Sequence, residues 1–567
     1  MDVSMSTFDW TVLILSLVFI VVYGVLKGRG NRDINGYLMA DRNIRWYIVA
    51  LSVMATQASA ITFISTPGQA YSDGMRFVQF YFGLPLAMIV LSITVIPIYH
   101  KLKVYTAYEY LEKRFDLKTR GMAAGLFLIQ RGFAAGLTIY APAIILSTLL
   151  GLNIYITNLV IGVLVIIYTA SGGSKAVSWT QTQQMIIIMT AMVGAFFMII
   201  HLLPKEVSFT DALFVAGKMG KLNAIDFSFD LNNRYNFWSG IIGGFFLALS
   251  YFGTDQSQVQ RYLTGKSITH SRLGLLANGL VKVPMQFFIL LLGAMVFVFY
   301  QFTTPPLFFN TVESQGVRTG QLGQQYRMVE QQYQEASKEK SEWVKKLVQA
   351  RHQGDKHALA AVEKKLDLVG KKVSDLRENG VALIRKHVSN EDVGDTNYIF
   401  LSFVLQYMPI GLLGLIIAAI VAASMSSTSS ELNALASTTV VDIYRRVIKK
   451  NGSDRHYLVV SKMMTVGWGI FAIMFAQYAN RLGTLVEAVN ILGSLFYGTI
   501  LGIFLVSFYL KFVRGSATFY AAIIAEVGVI LCFFFTDISF LWYNVVGCLL
   551  VILCSIPINH FLQRKRS

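Results

Sequence analysis

Charge is scarce in this chain. Only 14% of its 567 residues are Asp, Glu, Lys or Arg, against about 25% in a soluble domain. Polar linkers are missing too, although a soluble chain of this length would divide into several domains. Cysteine is almost absent. Cys532, Cys548 and Cys554 all lie in apolar segments, an odd set with no disulfide framework and no metal-ligand spacing. They read as small packing residues. These deficits exclude a soluble enzyme, a secreted disulfide scaffold and a disordered protein.

Hydrophobic residues make up 54% of the chain. They gather in runs of roughly 20, the signature of membrane helices. Thirteen such runs fall at about 10–26, 44–71, 78–99, 120–150, 153–170, 178–203, 237–254, 273–302, 398–440, 457–478, 482–511, 517–535 and 538–561. The first has no positive n-region of the kind a signal peptide needs. Asp2 and Asp9 precede or open it, and Lys27, Arg29 and Arg32 follow, so it reads as an uncleaved span with its N-terminus outside. The run at 398–440 is too long for one crossing and is expected to project into the cytoplasm.

Lys and Arg concentrate in alternate connections: KGRGNRD, HKLKVYTAYEYLEKRFDLKTR, SGGSK, QRYLTGKSITHSR, DIYRRVIKKNGSDRHY, KFVRGS and the tail QRKRS. The other short loops are SDGMR, LN, ANR and TD. The positive-inside rule then places the C-terminus in the cytoplasm of a multi-pass protein of the plasma (inner) membrane. It also explains the net charge of +17 without nucleic acid. The expected surroundings are a lipid bilayer.

One polar segment, 310–396, falls outside. It divides the chain into spans 1–8 (1–309), the insertion, and spans 9–13 (397–567). Val344, Leu347 and Val348 in one arm, and Leu366, Val369, Val373 and Leu376 in the other, recur at spacings of three and four around the break HQGDKHA. This predicts two helices folded into an external hairpin. It is either a solvated insertion dispensable for transport or a lid or docking element for an unknown partner.

Two spans are unusual. The second, LSVMATQASAITFISTPGQAY, mixes small and hydroxyl residues with Pro67 and Gly68. Broken helices occur in membranes only where they line a cavity, and a break here would free carbonyls of Ala55 to Ala58 for a cation. Close packing of small residues is the plainer account. In the ninth, Ser426, Ser429 and Ser430 share one helix face and Ser427 flanks them. Hydroxyls facing an unwound helix offer sodium, a hard cation, an oxygen shell. Arg131 and Lys282 are charges inside spans four and eight. Such residues are costly and usually face an aqueous pathway. Lys282 could snorkel. Arg131 could grip a substrate carboxylate or an internal acceptor; no acid is evident in the spans expected to line the centre, except near their ends.

The motifs GGSKAVSWTQTQQ (172–184), DQSQVQRYL (255–263), AASMSSTSSELNALAS (422–437) and VNILGSLFYGTILGIF (489–504), in this order, carry a resemblance to the sodium/solute symporter family, which includes sodium–glucose cotransporters. It covers nearly the whole chain except 310–396. GQAYSDGMRF, TAYEYLEKRF and LTIYAPAIILSTLLGL look most like its iodide, monocarboxylate and multivitamin branch. The resemblance implies an all-α membrane fold of the leucine-transporter type, with two inverted five-helix repeats, spans two to six and seven to eleven, around a midplane site. It implies one Na+ held by carbonyls of Ala55, Ala58 and Ala423 and hydroxyls of Ser426 and Ser427. Tyr251 resembles an aromatic inner gate, Lys282 a sugar-contacting lysine, and Thr62 a substrate contact. The family's Trp-Thr-Asp reads Trp179-Thr180-Gln181 here. A neutral amide offsets a second buried cation poorly, so the second site of Gln181, Ser429 and Ser430 is weakened.

The expected function is sodium-coupled symport of a small polar organic solute by alternating access. An organic anion is the first choice and a sugar or polyol the alternative. A transporter-like sensor is the rival from another class; it would be expected to carry a signalling domain, and the cytoplasmic tail is only a few residues. No catalytic triad, metal cluster or phosphate loop is legible, and GGSK lacks the Walker spacing, so energy should come from an ion gradient.

Overall fold

The structure is a computed structural model that describes residues 5–28, 33–150, 153–388, 393–479 and 485–564. Asp2, Arg29, Arg32, parts of the short loops LN and ANR, and most of the basic tail lie outside the described residues. The described residues are mostly helical, the longest exception being the irregular connection at 219–236. The principal helices are α1 (Thr7–Gly28), α2 (Trp46–Gln57), α3 (Ala60–Asp73), α4 (Leu84–Leu102), α5 (Leu117–Leu150), α6 (Ile154–His201), α7 (Gly244–Gly253), α8 (Gln256–Leu263) and α9 (Ile268–Phe302). They continue with α10 (Gly323–Gln353), α11 (Lys356–Val388), α12 (Thr396–Tyr407), α13 (Leu412–Thr438), α14 (Asp454–Ala476), α15 (Leu485–Tyr509), α16 (Gly515–Phe535) and α17 (Phe540–Arg564).

Ten helices among the described residues are long and apolar enough to cross a membrane, and an eleventh span is α2 with α3, bent by 60°. The remaining two of the thirteen expected spans correspond to shorter apolar helices, Ile154–Ile167 and Ser239–Gly253. The first of these joins its successor directly through Gly173, whose φ of 64° bends the backbone without a loop.

Both expected repeats begin with an interrupted helix. In the first, α2 stops at Gln57, and Ala58 (ψ 75°) and Ser59 (ψ 174°) leave the helical region before α3 resumes. Pro67 does not cause this break; it lies within α3. In the second, α7 ends at Gly253 and α8 restarts after Asp255, whose Oδ1 accepts the Ser257 N–H at 2.8 Å, an N-cap that lets the helix begin again. Every residue of α8 is buried, although its sequence reads as the start of a loop.

The run at 398–440 needs correction. It is two helices: α12 ends at Tyr407 and α13 starts at Leu412. Gly411 makes the turn at φ 88°, a conformation glycine adopts without strain. Asp9 of α1 then caps the new helix, its Oδ1 accepting the N–H groups of Gly411 (2.7 Å) and Gly414 (3.0 Å). Much of the excess length is therefore a short helix packed on α3. At the other end the winding widens to a π-helix over Thr439–Ile448, with Arg445 and Arg446 exposed. Between these ends α13 is almost wholly buried against α1, α5 and α6.

The insertion is a hairpin of α10 and α11 turned at Gly354 (φ 69°), with a short helix, Thr311–Thr319, before it. Val344, Leu347, Val348, Leu366 and Val369 are buried, as their spacing predicts, whereas Val373 and Leu376 are only half-buried. The hairpin also docks on the helical body. Arg351 reaches Asp211 at 3.0 Å, Glu363 reaches Lys218 at 2.7 Å, and Ser341 Oγ lies 3.3 Å from the Phe302 carbonyl oxygen. It is not a freely solvated appendage.

Candidate functional site

The break after α2 and the middle of α13 meet at the centre. Ser426 Oγ lies 2.9 Å from the Ala423 carbonyl oxygen and 3.3 Å from that of Ala55, and Ser427 Oγ lies 3.3 Å from the Ala55 oxygen. Four of the five expected sodium ligands thus converge, 371 residues apart in sequence at the Ala55–Ser426 contact. Ala58 stands fully buried at the break itself. The last turn before the break supplies the Ala55 carbonyl, which no continuing helix uses, the Ala423 carbonyl comes from within α13, and the hydroxyls face them. Such an all-oxygen, uncharged donor set fits a hard monovalent cation.

Gln181 of α6 lies beside this cluster. Its Nε2 donates to Ser430 Oγ (2.8 Å), Thr56 Oγ1 (3.0 Å) and the Ser426 carbonyl (3.3 Å), while its Oε1 accepts from Ser52 Oγ at 2.5 Å. The amide N–H groups occupy the centre of an oxygen shell that would otherwise face a cation. Ser430 joins this network. Ser429 does not, and its buried Oγ has no hydrogen-bond partner among the described residues.

Next to the break is a cavity of 90 Å³. Thr62, Arg131 and Tyr251 line it, together with the neutral polar side chains of Gln57, Gln130 and Asn490. Tyr81 and Tyr497 add aromatic walls. Tyr251 is held by Gln258 Nε2, which donates to its hydroxyl at 2.8 Å, and its ring centre is 5.8 Å from that of Tyr497. Lys282 does not line this cavity. It is fully buried behind Tyr81, 5.6 Å from the ring centre, and its Nζ has no hydrogen-bond partner among the described residues. It therefore neither snorkels nor reaches the position of a solute contact in this conformation.

The expectation that Arg131 lacks an internal acid is wrong. Its Nη1 donates to Glu431 Oε1 at 3.0 Å, and its Nη2 to Asp255 Oδ2 and to Tyr497 Oη (2.5 Å). Tyr497 in turn donates to Asp255 Oδ2 at 2.8 Å. One guanidinium faces two carboxylates, all buried. Burying an arginine without partners would be prohibitive, and here the acids outnumber it, two carboxylates to one guanidinium. Glu431 stands inside the serine motif and Asp255 opens DQSQVQRYL. Both acids were visible in the sequence. That Asp255 caps a second helix break, and so turns inward, was not.

The family model described as the sodium:solute symporter family matches residues 37–314 and 376–525, and the gap between them falls in the hairpin. The rabbit (Oryctolagus cuniculus) sodium-dependent multivitamin transporter is 27% identical over 89% of this chain and 67% of its own length. The sodium/sialic acid symporter SiaT of Proteus mirabilis is 25% identical over 96% of this chain and 93% of its own. Among solved structures, a substrate-bound, outward-open Na+-coupled sialic acid symporter aligns with a TM-score of 0.74 at 22% identity, covering 98% of both chains. That likeness establishes the fold, inverted repeats included. These relatives are transporters and not enzymes. With more than half of its length matched by the family model, the chain belongs to the sodium:solute symporter family.

Proposed function

We propose that this protein is a sodium-driven symporter of a small polar organic solute. The observation that carries this reading is the convergence of the Ala55 and Ala423 carbonyls with the Ser426 and Ser427 hydroxyls at a helix break, next to a polar cavity that shares Arg131 and Thr62. Sodium, the coupling substrate, would tie α2 to α13. Because α2 and α3 are joined by two non-helical residues, an ion that fixes α2 also fixes the cavity wall formed by Ser59 and Thr62. Ion and solute are then coupled by their shared preference for one arrangement of the helices. Ala55, Ala58, Ala423, Ser426 and Ser427 hold the ion in this proposal, and Thr62 and Arg131 meet the solute above the gate residue Tyr251.

An organic anion is the first reading of the solute. The sialic acid symporter and the multivitamin transporter among the relatives support it, and so does the presence of Arg131 in the cavity wall. A carboxylate would bind by replacing one of the two internal acids at the guanidinium. The charge count favours a second reading: Arg131 already faces two acids, and the rest of the lining is uncharged, with amides and hydroxyls among apolar side chains such as Ile61, Phe80 and Leu247, which suits a sugar or polyol. Proteoliposomes with an imposed sodium gradient, offered a panel of monocarboxylates, acidic sugars and neutral sugars, decide between them. Uptake of an anion that requires sodium supports the first reading. Uptake restricted to neutral sugars supports the second. Absence of gradient-driven uptake of any of them would reject the symporter.

A further inference from the structure

A second, larger cavity lies elsewhere. It measures 360 Å³ and opens between the hairpin and the body, walled by Tyr71 of α3, Phe297 and Tyr300 of α9, and Tyr333 of α10. Thr62 and Tyr71 are on the same helix, roughly 14 Å apart at the helical rise, so this space is separate from the central cavity. It sits under residues outside the stretches matched by the family model: Lys340 and Gly370 of its lining fall between 314 and 376.

Its charges do not balance. Lys221, Lys340 and Arg377 line it, against the single carboxylate of Asp395. That carboxylate is already taken. Arg377 Nη2 donates to both of its oxygens (2.9 and 3.0 Å), and the Phe309 N–H donates to it at 2.8 Å. The two lysines then face one ring: Lys221 Nζ is 4.7 Å and Lys340 Nζ 5.8 Å from the Phe297 centre. Lys221 Nζ also donates to the Ser72 carbonyl at 2.5 Å. Lys340 forms no ion pair among the described residues. Two ammonium groups drawn to one aromatic ring repel each other, and removal from water raises the cost of each charge. Asp73, at the end of α3, relieves Lys221 only in part: burial still pushes Lys221 down to about 8, and burial together with Lys221 pushes Lys340 down to about 8.

We propose that this cavity binds a small organic monocarboxylate, its charge between Lys221 and Lys340 and its apolar part against Phe297 and the neighbouring tyrosines. The volume lies in the range of small-molecule sites, which are apolar enclosures with a few convergent polar groups. The aromatic walls favour an organic anion over inorganic phosphate. The hairpin supplies Lys340, Tyr333 and Arg377, so the site exists only when the hairpin is docked. The proposal stands apart from the transport reading, because it requires neither sodium nor the central cavity.

Calorimetry on the full chain in detergent, with benzoate as the probe, tests it. Benzoate should bind in sodium-free buffer. Lys340→Gln should weaken that binding at least tenfold, and Lys221→Gln likewise if the loss of its bond to Ser72 leaves the protein folded. Inorganic phosphate should compete weakly. The groups facing the lysines are Tyr71 and Asp73 from α3, Tyr300, Tyr333, Arg377 and Asp395; the anion needs the charged lysines, so affinity should fall as pH rises past about 8. Absence of benzoate binding in the millimolar range overturns the proposal, as does an unchanged dissociation constant in Lys340→Gln. Binding that appears only with sodium and disappears in Ser426→Ala would assign the anion to the central site, and equal competition by phosphate would leave only an unspecific basic patch.

Discussion

Single oxygen atoms decide how well a sodium ion competes with water. Ser426 and Ser427 each place a hydroxyl within 3.3 Å of the Ala55 carbonyl, so each substitution by alanine removes one donor oxygen without adding bulk. Ser426→Ala and Ser427→Ala should raise the sodium concentration for half-maximal uptake about tenfold, roughly 1.4 kcal/mol, measured by initial rates against sodium. Unchanged sodium dependence in both would reject the assignment. Glu431 allows a sharper test of the solute. If a carboxylate substrate takes its place on Arg131, Glu431→Gln should tighten apparent substrate affinity, because the internal competitor loses its charge. If Glu431 serves only to balance Arg131, the same change should lower the melting temperature and leave affinity alone. Arg131→Lys complements it: the fork that reaches Glu431 and Asp255 is lost while the charge remains, so a carboxylate substrate should bind more than tenfold weaker.

Helices carry these atoms, and their contacts explain how the elements move together. Gln181 ties α6 to α2 through Ser52 and Thr56 and to α13 through Ser430. With its amide hydrogens filling that oxygen shell, one sodium per solute is the expected ratio. Gln181→Asp removes the donors and leaves an acid among Thr56, Ser430 and the Ser426 carbonyl, so a second cation should enter and the flux ratio, read from reversal potentials, should rise from one toward two. A ratio of two in the unaltered protein would overturn this account. The hairpin is an element of another kind. The family model passes over most of it, yet it covers Tyr71, Phe297 and Tyr300. Replacing 318–390 by a short Gly/Ser linker should preserve sodium-driven uptake in the core but lower the melting temperature by several degrees, since apolar surface on α3 and α9 becomes exposed.

At the scale of the whole molecule the connections sort into two groups. Arg446 pairs with Glu112 at 2.9 Å, Arg114 reaches the Lys511 carbonyl at 2.7 Å, and Arg42 reaches that of Val104 at 2.8 Å, so the basic loops gather together. Lys221 meets Ser72, and Arg351 meets Thr210 at 2.6 Å, so the hairpin gathers with the other set. This is the division that alternating crossings require, and on the positive-inside rule we propose that the first group is cytoplasmic. A cysteine at Lys356 in the hairpin turn should react with an impermeant maleimide added outside intact cells, and one at Lys450 only after the membrane is opened. The reverse pattern would invert the topology.

Run length and apolar spacing determined the spans, the hairpin and its buried positions, because each depends on residues within a few turns of one another. Val344 and Leu347, or Leu366 and Val369, need no distant partner to define a face. The serines of α13 and the small residues of α2 were legible for the same reason, as was the substitution at Gln181. Tertiary structure alone decided what these residues meet. Arg131 finds Glu431 300 positions away and Asp255 124 positions away, and Lys282, equally conspicuous as an intramembrane charge, turns behind Tyr81 and away from the cavity. A helix rotates about 100° per residue, so a side chain's partner depends on the axial rotation and tilt of each packed helix. Those angles are settled jointly by ridges and grooves along the entire bundle, and no local segment contains them.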